Sequence, residues 1–323
     1  MQVFGNFLMD VHPKNAFVLG AGLGTRLRPL TAARPKPLMP VFGKPIITFA
    51  LDHLRSIGIE SFVINTHHLP GQFEEVFASG EYAGCPLKLV FEPDILETGG
   101  GIKNAERWIG NGPFIVYSGD ILTDIDIAAL VDEHLRMKND VTLALRNTGL
   151  ASGVALGGGK ILAISKAPQP GGYDFANVSV WNADIYARIP PGLKISFIPV
   201  VAEWIGQGGR IGGVVLNERE WFNIGSRAEY LAVHRFIAGK AWKPAYVDSA
   251  EWPARFGPGA KIAPGAEISA STAIGAGSTV GDGARLEDCV VWENAEIASG
   301  ASLRDCIVTP GRHAGGAHQG MDF

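Results

Sequence analysis

The sequence lacks several features that would mark common classes of protein. Its apolar runs stay well short of the roughly 20 residues that span a bilayer. Its first residues, MQVFGNFLMDVHPKN, have neither the basic start nor the long apolar core of a secretory signal. The formal net charge is −4, so no general positive field is available to hold nucleic acid or an anionic membrane. We therefore expect a cytoplasmic protein that binds neither membranes nor nucleic acid.

Cysteine is also scarce. Cys85, Cys289 and Cys306 show no CxxC or metal-like spacing, which agrees with a reducing compartment. Charged residues make up only 19% of the chain, whereas hydrophobic residues make up 46% and there are 42 glycines. This composition describes a globular protein with many turns and excludes a disordered one. The length of 323 residues predicts two domains.

The chain from Ala16 to about Gly239 alternates short apolar runs with longer amphipathic ones. The candidate strands are AFVLG (16–20), SFVIN (61–65), LKLVF (87–91), FIVYS (114–118) and VTLALR (141–146), and candidate helices cover 45–57 and 127–138. Such alternation is typical of βαβ units on a mostly parallel sheet that is covered on both faces. Ligands of such sheets bind beyond the carboxyl ends of the strands.

A six-residue repeat begins beyond Ala241. Aliphatic residues recur at a spacing of six and, after a contraction by one residue, resume it: Ile262, Ile268, Ile274, Val280, Leu286, Val291, Ile297 and Leu303. Three six-residue sides make one triangular coil, so the repeat predicts a parallel β-helix of about three coils. We therefore divide the chain into a first domain over 1–240, a β-helix over 241–310 and a flexible tail over 311–323.

Two details of the repeat region follow from the same geometry. Cys289 and Cys306 lie 17 residues apart, about one coil, and are expected to stack as small apolar wall residues without a disulfide. His313 and His318 lie among glycines, where we expect a frayed terminus and not a metal site. The flat coil ends and regular wall favour a homo-oligomer.

The segment after the first strand, LGAGLGTRLRPLTAARPKPLMP (19–40), is the most informative one. Gly20, Gly22 and Gly24 let backbone N–H groups approach an anion without interference from Cβ, which indicates a phosphate ligand. The spacing fits neither GxxxxGK[ST] nor GxGxxG, because Thr25 occupies the third glycine position. Both common nucleotide-binding folds are therefore disfavoured.

The same segment and its flanks are rich in cations and contain no acidic residue between Val11 and Leu51. The cations are Lys14, Arg26, Arg28, Arg34, Lys36 and Lys44, and several prolines stiffen the chain around them. Such a local excess of positive charge indicates an anionic ligand. We assign a function to Arg26 and Lys36, and leave Arg28 and Arg34 open between ligand binding and a solvated basic loop.

A carboxylate follows the strand in FIVYSGDILTDID (114–126). A strand that ends in Gly-Asp delivers the carboxylate to the rim of the sheet, and Mg²⁺ usually takes one or two carboxylates together with substrate phosphates. We therefore predict Asp120 as a magnesium ligand. Asp124 and Asp126 are expected to cap the helix that begins near Ile127. Asn65 and His67 follow another strand and are candidates to line the pocket; for His67 a structural role is the alternative.

The run GAGLGTRLRPLT…RPKPLMPVFGKPII closely resembles the signature of sugar-1-phosphate nucleotidylyltransferases. The resemblance covers Ala16 to about Gly239, and the six-residue repeat is likewise found on many members, including mannose-1-phosphate guanylyltransferases. LETGGGI, GDILTDID and FANVSVWN are similar to N-acetylmuramate-1-phosphate uridylyltransferases and to some guanylyltransferase-like proteins. The resemblance implies a three-layer, Rossmann-like α/β fold of the nucleotide-diphospho-sugar transferase type, followed by a short left-handed parallel β-helix.

The resemblance also implies a reaction and a set of site residues. The reaction transfers a nucleotidyl group from a nucleoside triphosphate to a sugar 1-phosphate with Mg²⁺, giving pyrophosphate and a UDP- or GDP-sugar. The implied residues are Arg26 and Lys36 for catalysis; Gly20, Ala21, Gly22, Gly24, Thr25, Thr98, Gly99 and Gly100 for the nucleotide; Lys166 and Asn177 for the sugar phosphate; and Asp120 and Asn223 for the metal.

Two positions depart from the family pattern. The family's W-x-D-x-G motif is represented by Trp221 to Gly225, with Asn223 in place of the acid, and Ser165 replaces the glutamate before Lys166. An amide oxygen brings no negative charge, so the metal should bind more weakly. Either Asp120 and the phosphates chiefly hold the metal, or the chain is a catalytically silent regulatory subunit. An acyltransferase is a weaker alternative, because no histidine occurs from Ala241 to Arg312.

Overall fold

The computed structural model describes residues 12–323, so most of the N-terminal segment MQVFGNFLMDVHPKN, which was expected not to be a secretory signal, lies outside the described residues. Within that part of the chain, no helix combines the length and the apolar character needed to cross a membrane.

Residues 12–240 fold into alternating strands and helices, as the apolar pattern predicts. In chain order the elements are β1 (Asn15–Leu19), α1 (Leu30–Ala33), β2 (Pro40–Val41), β3 (Lys44–Pro45), α2 (Ile46–Ser56), β4 (Ser61–Thr66), α3 (Pro70–Val76), β5 (Glu81–Tyr82), β6 (Cys85–Phe91), α4 (Glu97–Ile109), β7 (Phe114–Ser118), β8 (Ile121–Thr123), α5 (Ile127–Met137), β9 (Val141–Arg146), β10 (Val154–Gly157), β11 (Lys160–Ile164), β12 (Asp174–Trp181), α6 (Phe197–Gly206), β13 (Ile211–Val215), β14 (Trp221–Asn223) and α7 (Arg227–Lys240). The predicted strands and helices are all present.

The chain divides into two compact units. The first unit contains the described residues up to Ala21, Leu54–Ser118 and Ile125–Glu220, and the second contains Gly22–His53, Gly119–Asp124 and Trp221–Phe323. This division differs from the predicted boundary at residue 240. The cationic loop and Asp120 group with the β-helix instead of the large sheet. Leu27 and Met39 of the loop share a buried core with Tyr230 of α7 and with Trp292.

A ten-stranded sheet forms the centre of the first unit, in the order β10-β11-β13-β9-β12-β7-β1-β4-β6-β5. Strands β7, β1, β4 and β6 are parallel, whereas β12 runs antiparallel to both of its neighbours. The strand order reverses at β1, which has β4 on one side and β7 on the other. Such a switch point is where open α/β sheets bind ligands.

Helices cover both faces of this sheet, giving the three-layer α/β fold. Leu143 of β9 packs into a buried apolar core that includes Ile102 of α4 and Val201 of α6. On the opposite face of the same strand, the Thr142 hydroxyl lies 3.0 Å from Nδ1 of His134 in α5. Alternate residues of β9 thus contact helices on opposite faces of the sheet.

Of the two aspartates that we predicted to cap α5, only Asp126 is the N-cap residue. Its carboxylate accepts a hydrogen bond of 2.9 Å from the backbone N–H of Ala129. Asp124 does not cap the helix. Its carboxylate accepts a hydrogen bond of 3.2 Å from Nε1 of Trp242.

The second unit contains a left-handed parallel β-helix. Its strands are β15 (Lys261–Ile262), β16 (Glu267–Ile268), β17 (Ala273–Ile274), β18 (Thr279–Val280), β19 (Arg285–Glu287), β20 (Val290–Val291), β21 (Glu296–Ile297), β22 (Ser302–Arg304), β23 (Ile307–Val308), β24 (His313–Ala314) and β25 (Ala317–Gln319). They form three parallel ladders: β15-β18-β21-β24, β16-β19-β22-β25 and β17-β20-β23. The repeated aliphatic residues fill the interior, as predicted; only Ile262 and Ile268 of the first coil are partly exposed.

The expected flexible tail over 311–323 instead continues the coils. Strand β24 pairs with β21, and β25 pairs with β22. The physical reason is that Ala314, which is fully buried, takes the inward position opposite Ile297. Because alanine is small, this inward position does not stand out in the sequence as the larger aliphatic residues do. Cys289 and Cys306 are free, buried thiols one coil apart, as predicted.

Candidate active site

The glycine loop begins at the carboxyl end of β1 in the first unit. The backbone N–H of Gly20 donates a 2.9 Å hydrogen bond to Oδ1 of Asn65, at the end of β4. A Cβ at Gly20 would lie 2.6 Å from the carbonyl oxygen of Asn65, so no side chain fits there. Ala21 is also buried. Asn65 is therefore a structural support for the start of the loop.

A buried carboxylate, which no sequence pattern singles out, lies beside Asn65. Glu92 is fully buried and accepts hydrogen bonds from Nδ2 of Asn65 at 2.9 Å and from the backbone N–H of Leu96 at 3.1 Å. Burial raises the pKa of the Glu92 carboxyl, although both hydrogen bonds oppose this shift. Nδ1 of His67 lies 2.8 Å from the Glu92 carbonyl oxygen, so His67 also has a structural role.

The glycines at the start of α4 pack against the chain before α6. A Cβ at Gly99 would lie 2.8 Å from the carbonyl oxygen of Ile195, and one at Gly100 would lie 2.3 Å from that of Leu193. The Thr98 hydroxyl accepts a 3.2 Å hydrogen bond from the backbone N–H of Phe197. This packing by itself requires glycine at both positions. Their contact with a nucleoside stays a prediction.

The two predicted sugar-phosphate residues lie elsewhere in the first unit. Lys166 is exposed in the bend after β11. Asn177 has a φ of +62° where the pairing register of β12 with β9 shifts. Asparagine tolerates this conformation better than most residues, and such bulges re-aim side chains. Within residues 12–323, no hydrogen bond or ion pair joins Lys166 or Asn177 to another predicted site residue.

The remainder of the glycine loop belongs to the second unit and leads into a 3₁₀ turn, Thr25–Leu27. Gly24 has a φ of +60°, and its carbonyl oxygen accepts a 2.9 Å hydrogen bond from the Thr31 hydroxyl. Gly22 is exposed, with open space where a Cβ would be, and Thr25 and Arg26 are exposed as well. These residues leave backbone and guanidinium donors accessible to an anion.

Arg26 lies against the motif that contains Asn223. A Cβ added to Gly225 would lie 2.9 Å from a guanidinium nitrogen of Arg26. The backbone N–H of Gly225 donates a 3.0 Å hydrogen bond to Glu229 of α7, which fixes the turn. A side chain at position 225 would therefore displace the end of the Arg26 side chain from its present position.

Lys36 joins the two predicted metal ligands. Strands β8 and β14 pair antiparallel with Ile121 opposite Asn223, which places Asp120 next to Asn223. Nζ of Lys36 lies 2.6 Å from Oδ2 of Asp120 and 3.5 Å from Oδ1 of Asn223. The Lys36 side chain is 8% exposed and that of Asp120 is 35% exposed. The second unit thus brings together Arg26, Lys36, Asp120 and Asn223.

The oxygen atoms of this cluster are of the kind that Mg²⁺ prefers. Asp120 and Asn223 each present a side-chain oxygen on the side of the Lys36 ammonium, and the Asp120 side chain is partly open to solvent. Mg²⁺ prefers oxygen ligands and keeps positions for water and phosphate, so two protein ligands are sufficient. Residues 12–323 contain no group of three or more His, Cys, Asp or Glu side chains arranged for a metal.

Most cations of the signature region have carboxylate partners from other parts of the chain. The ion pairs are Lys14–Glu60, Arg34–Glu293, Lys36–Asp120 and Lys44–Asp52. In the folded chain, these carboxylates therefore neutralise most of the positive charge of this region. Arg26 and Arg28 are exposed and form no ion pair among the described residues, so the free positive charge lies on them.

Comparison with known proteins places this chain among nucleotidyl transferases. The family model described as Nucleotidyl transferase matches residues 15–155, and the one described as GMPPB C-terminal domain matches residues 253–318. An N-acetylmuramate alpha-1-phosphate uridylyltransferase of Caulobacter vibrioides is 32% identical over 245 residues, which is 71% of this chain and 99% of that protein.

Two further comparisons are more limited. A mannose-1-phosphate guanylyltransferase of Mycobacterium tuberculosis is 40% identical over 141 residues, which is 44% of this chain but only 39% of that protein. A crystal structure named as a glucose-1-phosphate thymidylyltransferase of Bacillus anthracis aligns with a TM-score of 0.60 and 20% identity, over 67% of this chain and 91% of that one. The last likeness concerns the fold alone.

Proposed function

Because the chain belongs to the nucleotidyl transferase family, we propose that it is a sugar-1-phosphate nucleotidylyltransferase. It transfers a nucleotidyl group from a nucleoside triphosphate to a sugar 1-phosphate and releases pyrophosphate. The observation that carries this proposal is the contact of Lys36 with Asp120 and Asn223, next to the Arg26–Gly225 contact. Two cations, one carboxylate and the Asn223 amide converge there from separate segments, and positive charge is what a reaction between two anions requires.

The reaction needs positive charge and positioning more than it needs a base. A phosphate oxygen of the sugar 1-phosphate attacks the α-phosphorus of the triphosphate in line, and the bond from the α-phosphorus to the bridging oxygen of pyrophosphate breaks. Because the nucleophile is already an anion, no proton has to be removed from it. The barrier comes from repulsion between the two phosphates, which fixed cations reduce.

The residues of this chain divide that task. Arg26, which is exposed, holds the triphosphate, and Lys36 neutralises charge near the α-phosphate. Gly20 to Thr25 offer backbone N–H groups to the phosphates. Thr98 to Gly100 contact the nucleoside, and Lys166 and Asn177 hold the sugar phosphate. Asp120 and Asn223 would hold a magnesium ion, which would supply further positive charge to the phosphate oxygens.

The names of the relatives supply candidates for the nucleotide and for the sugar. The names of the relatives support UTP with N-acetylmuramate 1-phosphate and GTP with mannose 1-phosphate, and thus a UDP- or GDP-sugar as product. Asn223 favours one second candidate function, a nucleotide-sugar-binding subunit with weak or no turnover. We also propose a cytoplasmic location. We further propose a homo-oligomer that forms through the coils, and light scattering on the purified chain tests this oligomer.

The test is a grid of five nucleoside triphosphates against several sugar 1-phosphates, with released pyrophosphate measured and magnesium omitted as a control. We expect turnover with one nucleotide and few sugars. Lys36→Ala should lower the rate by about 10² to 10³, since removal of one such charge typically costs a few kcal/mol at the transition state. Saturable binding without turnover in any pair supports the regulatory subunit, and an unchanged rate in Lys36→Ala refutes the role of Lys36.

A further inference from the structure

One coil of the β-helix contacts the cationic loop directly, inside the second unit. Glu293 follows β20 and forms an ion pair with Arg34, and the Arg34 guanidinium lies 5.0 Å from the centroid of the Trp292 ring. Trp292 is fully buried, and Arg34 is 21% exposed in its side chain. Arg34 is thus held by an acid and an aromatic ring of the same coil.

The same coil also reaches the far end of the loop through α7. Nε1 of Trp292 donates a 3.1 Å hydrogen bond to the Tyr230 hydroxyl, which in turn donates to the carbonyl oxygen of Pro40. Tyr230 is fully buried, and burial raises the pKa of its hydroxyl, so it remains a donor at any ordinary pH. Trp292 and Glu293 therefore fix both ends of residues 34–40.

Lys36 lies between these two fixed ends. It belongs to a short 3₁₀ turn, Lys36–Leu38, that is buried throughout, and the next residue, Met39, is fully buried too. A four-carbon side chain carries substantial rotamer entropy, so its ammonium stays 2.6 Å from Asp120 only if the backbone beneath it is fixed. The ends held by the coil supply that fixation.

We propose that Glu293 and Trp292 are positioning residues for nucleotidyl transfer: the coil that carries them holds the 34–40 segment at Arg34 and Pro40, and so sets the position of the Lys36 ammonium. This inference rests on the proposed function. It assigns Arg34, which the sequence left open, to the support of the loop and not to substrate binding. It also gives the β-helix a part in the chemistry in addition to any part in assembly.

Loss of the Arg34–Glu293 contact should lower kcat more than it lowers the stability of the fold. A single ion pair that is partly exposed, as Arg34–Glu293 is, contributes little to folding, whereas misplacement of a catalytic group by about 1 Å can cost about 10²-fold in rate. Glu293→Gln should therefore lower kcat about tenfold and leave the melting temperature within about 2 °C of the original. The double change Arg34→Glu with Glu293→Arg should recover part of the loss of either reversal alone.

The matched control is Glu267→Gln, which removes the same charge from the exposed wall pair Glu267–Arg285. The control should leave kcat unchanged. A Glu293→Gln variant with a normal kcat, or one whose loss is matched by Glu267→Gln, overturns the proposal. A melting temperature that falls without any change in kcat also overturns it, since that result describes a purely structural contact.

Hydrogen exchange tests the inference without any turnover. The backbone N–H groups of Leu38 and Met39 donate hydrogen bonds of 2.9 Å and 3.1 Å within the loop. In Glu293→Gln and in Tyr230→Phe these amides should exchange at least about tenfold faster, and in Glu267→Gln they should not. If the unaltered chain releases no pyrophosphate, the proposed function fails while this measurement still decides whether the coil fixes the loop. Unchanged exchange of these amides in both Glu293→Gln and Tyr230→Phe refutes the proposal that the coil fixes the loop.

Discussion

Restoring the acid at position 223 should strengthen metal binding by a predictable amount. Asn223→Asp adds one negative charge about where Oδ1 of Asn223 now lies, 3.5 Å from the Lys36 ammonium. At that distance a unit negative charge interacts with a unit positive charge by about 1 kcal/mol in water and about 5 kcal/mol at an effective dielectric constant of about 20, and with a divalent ion by about twice as much. Because Asp120 is 35% exposed, the lower part of this range applies. We expect about 1.4 kcal/mol, or about tenfold tighter binding of Mg²⁺.

Two measurements test this expectation. Calorimetric titration with Mg²⁺ alone reports binding without turnover, and the magnesium concentration for half-maximal pyrophosphate release should fall about tenfold as well. The control is Asn104→Asp, which makes the same change of charge at an exposed position of α4. Equal magnesium affinity in the original chain and in Asn223→Asp would refute the assignment of residue 223 to the metal. Equal tightening in both variants would assign the effect to net charge.

Four further outcomes are expected. Gly225→Ala should displace the Arg26 guanidinium and raise KM for the triphosphate about tenfold, whereas Gly239→Ala, which meets no atom within 4 Å, should not. Gly100→Ala, whose Cβ would lie 2.3 Å from the Leu193 carbonyl oxygen, should lower the melting temperature by more than about 5 °C, and Gly112→Ala should leave it unchanged. Iodoacetamide should label Cys85 well before the fully buried Cys289 and Cys306 in the native chain. Burial lowers the pKa of His234 from 6.5 to about 4, so between these pH values the unfolded state binds a proton that the folded state does not. The free energy of unfolding measured with urea should therefore be highest above about pH 6.5 and fall by a few kcal/mol towards pH 4. The fall should be smaller in His234→Gln.

Local patterns allowed the elements of the fold to be predicted well. The apolar runs of the sheet strands and the spacing of six in the β-helix follow directly from which side chains face a core, and this rule acts over a few residues. The same rule missed the last coil, because Ala314 fills an inward position that in other coils holds Ile297 or Val280. Small residues in a narrow interior carry little signal in a sequence.

The candidate site was predicted in part. Strand ends and glycine spacing led to Asp120 and Gly20, whose places depend on nearby backbone. The partners of Arg34 and Asn65 were not foreseen, because Glu293 lies 259 residues from Arg34 and Glu92 is an ordinary acid in the sequence until burial is known. The local excess of charge was a poor guide for the same reason: four of the six cations are paired by acids from distant segments.

The short ladder between β8 and β14 has a consequence for how this site can change. Main-chain pairing, and not the chemistry of the side chain, determines where residue 223 lies. Acid and amide can therefore replace each other at that point while the strands keep their register. The strength of cation binding is thus adjustable by a single substitution, independently of the folding of the surrounding chain.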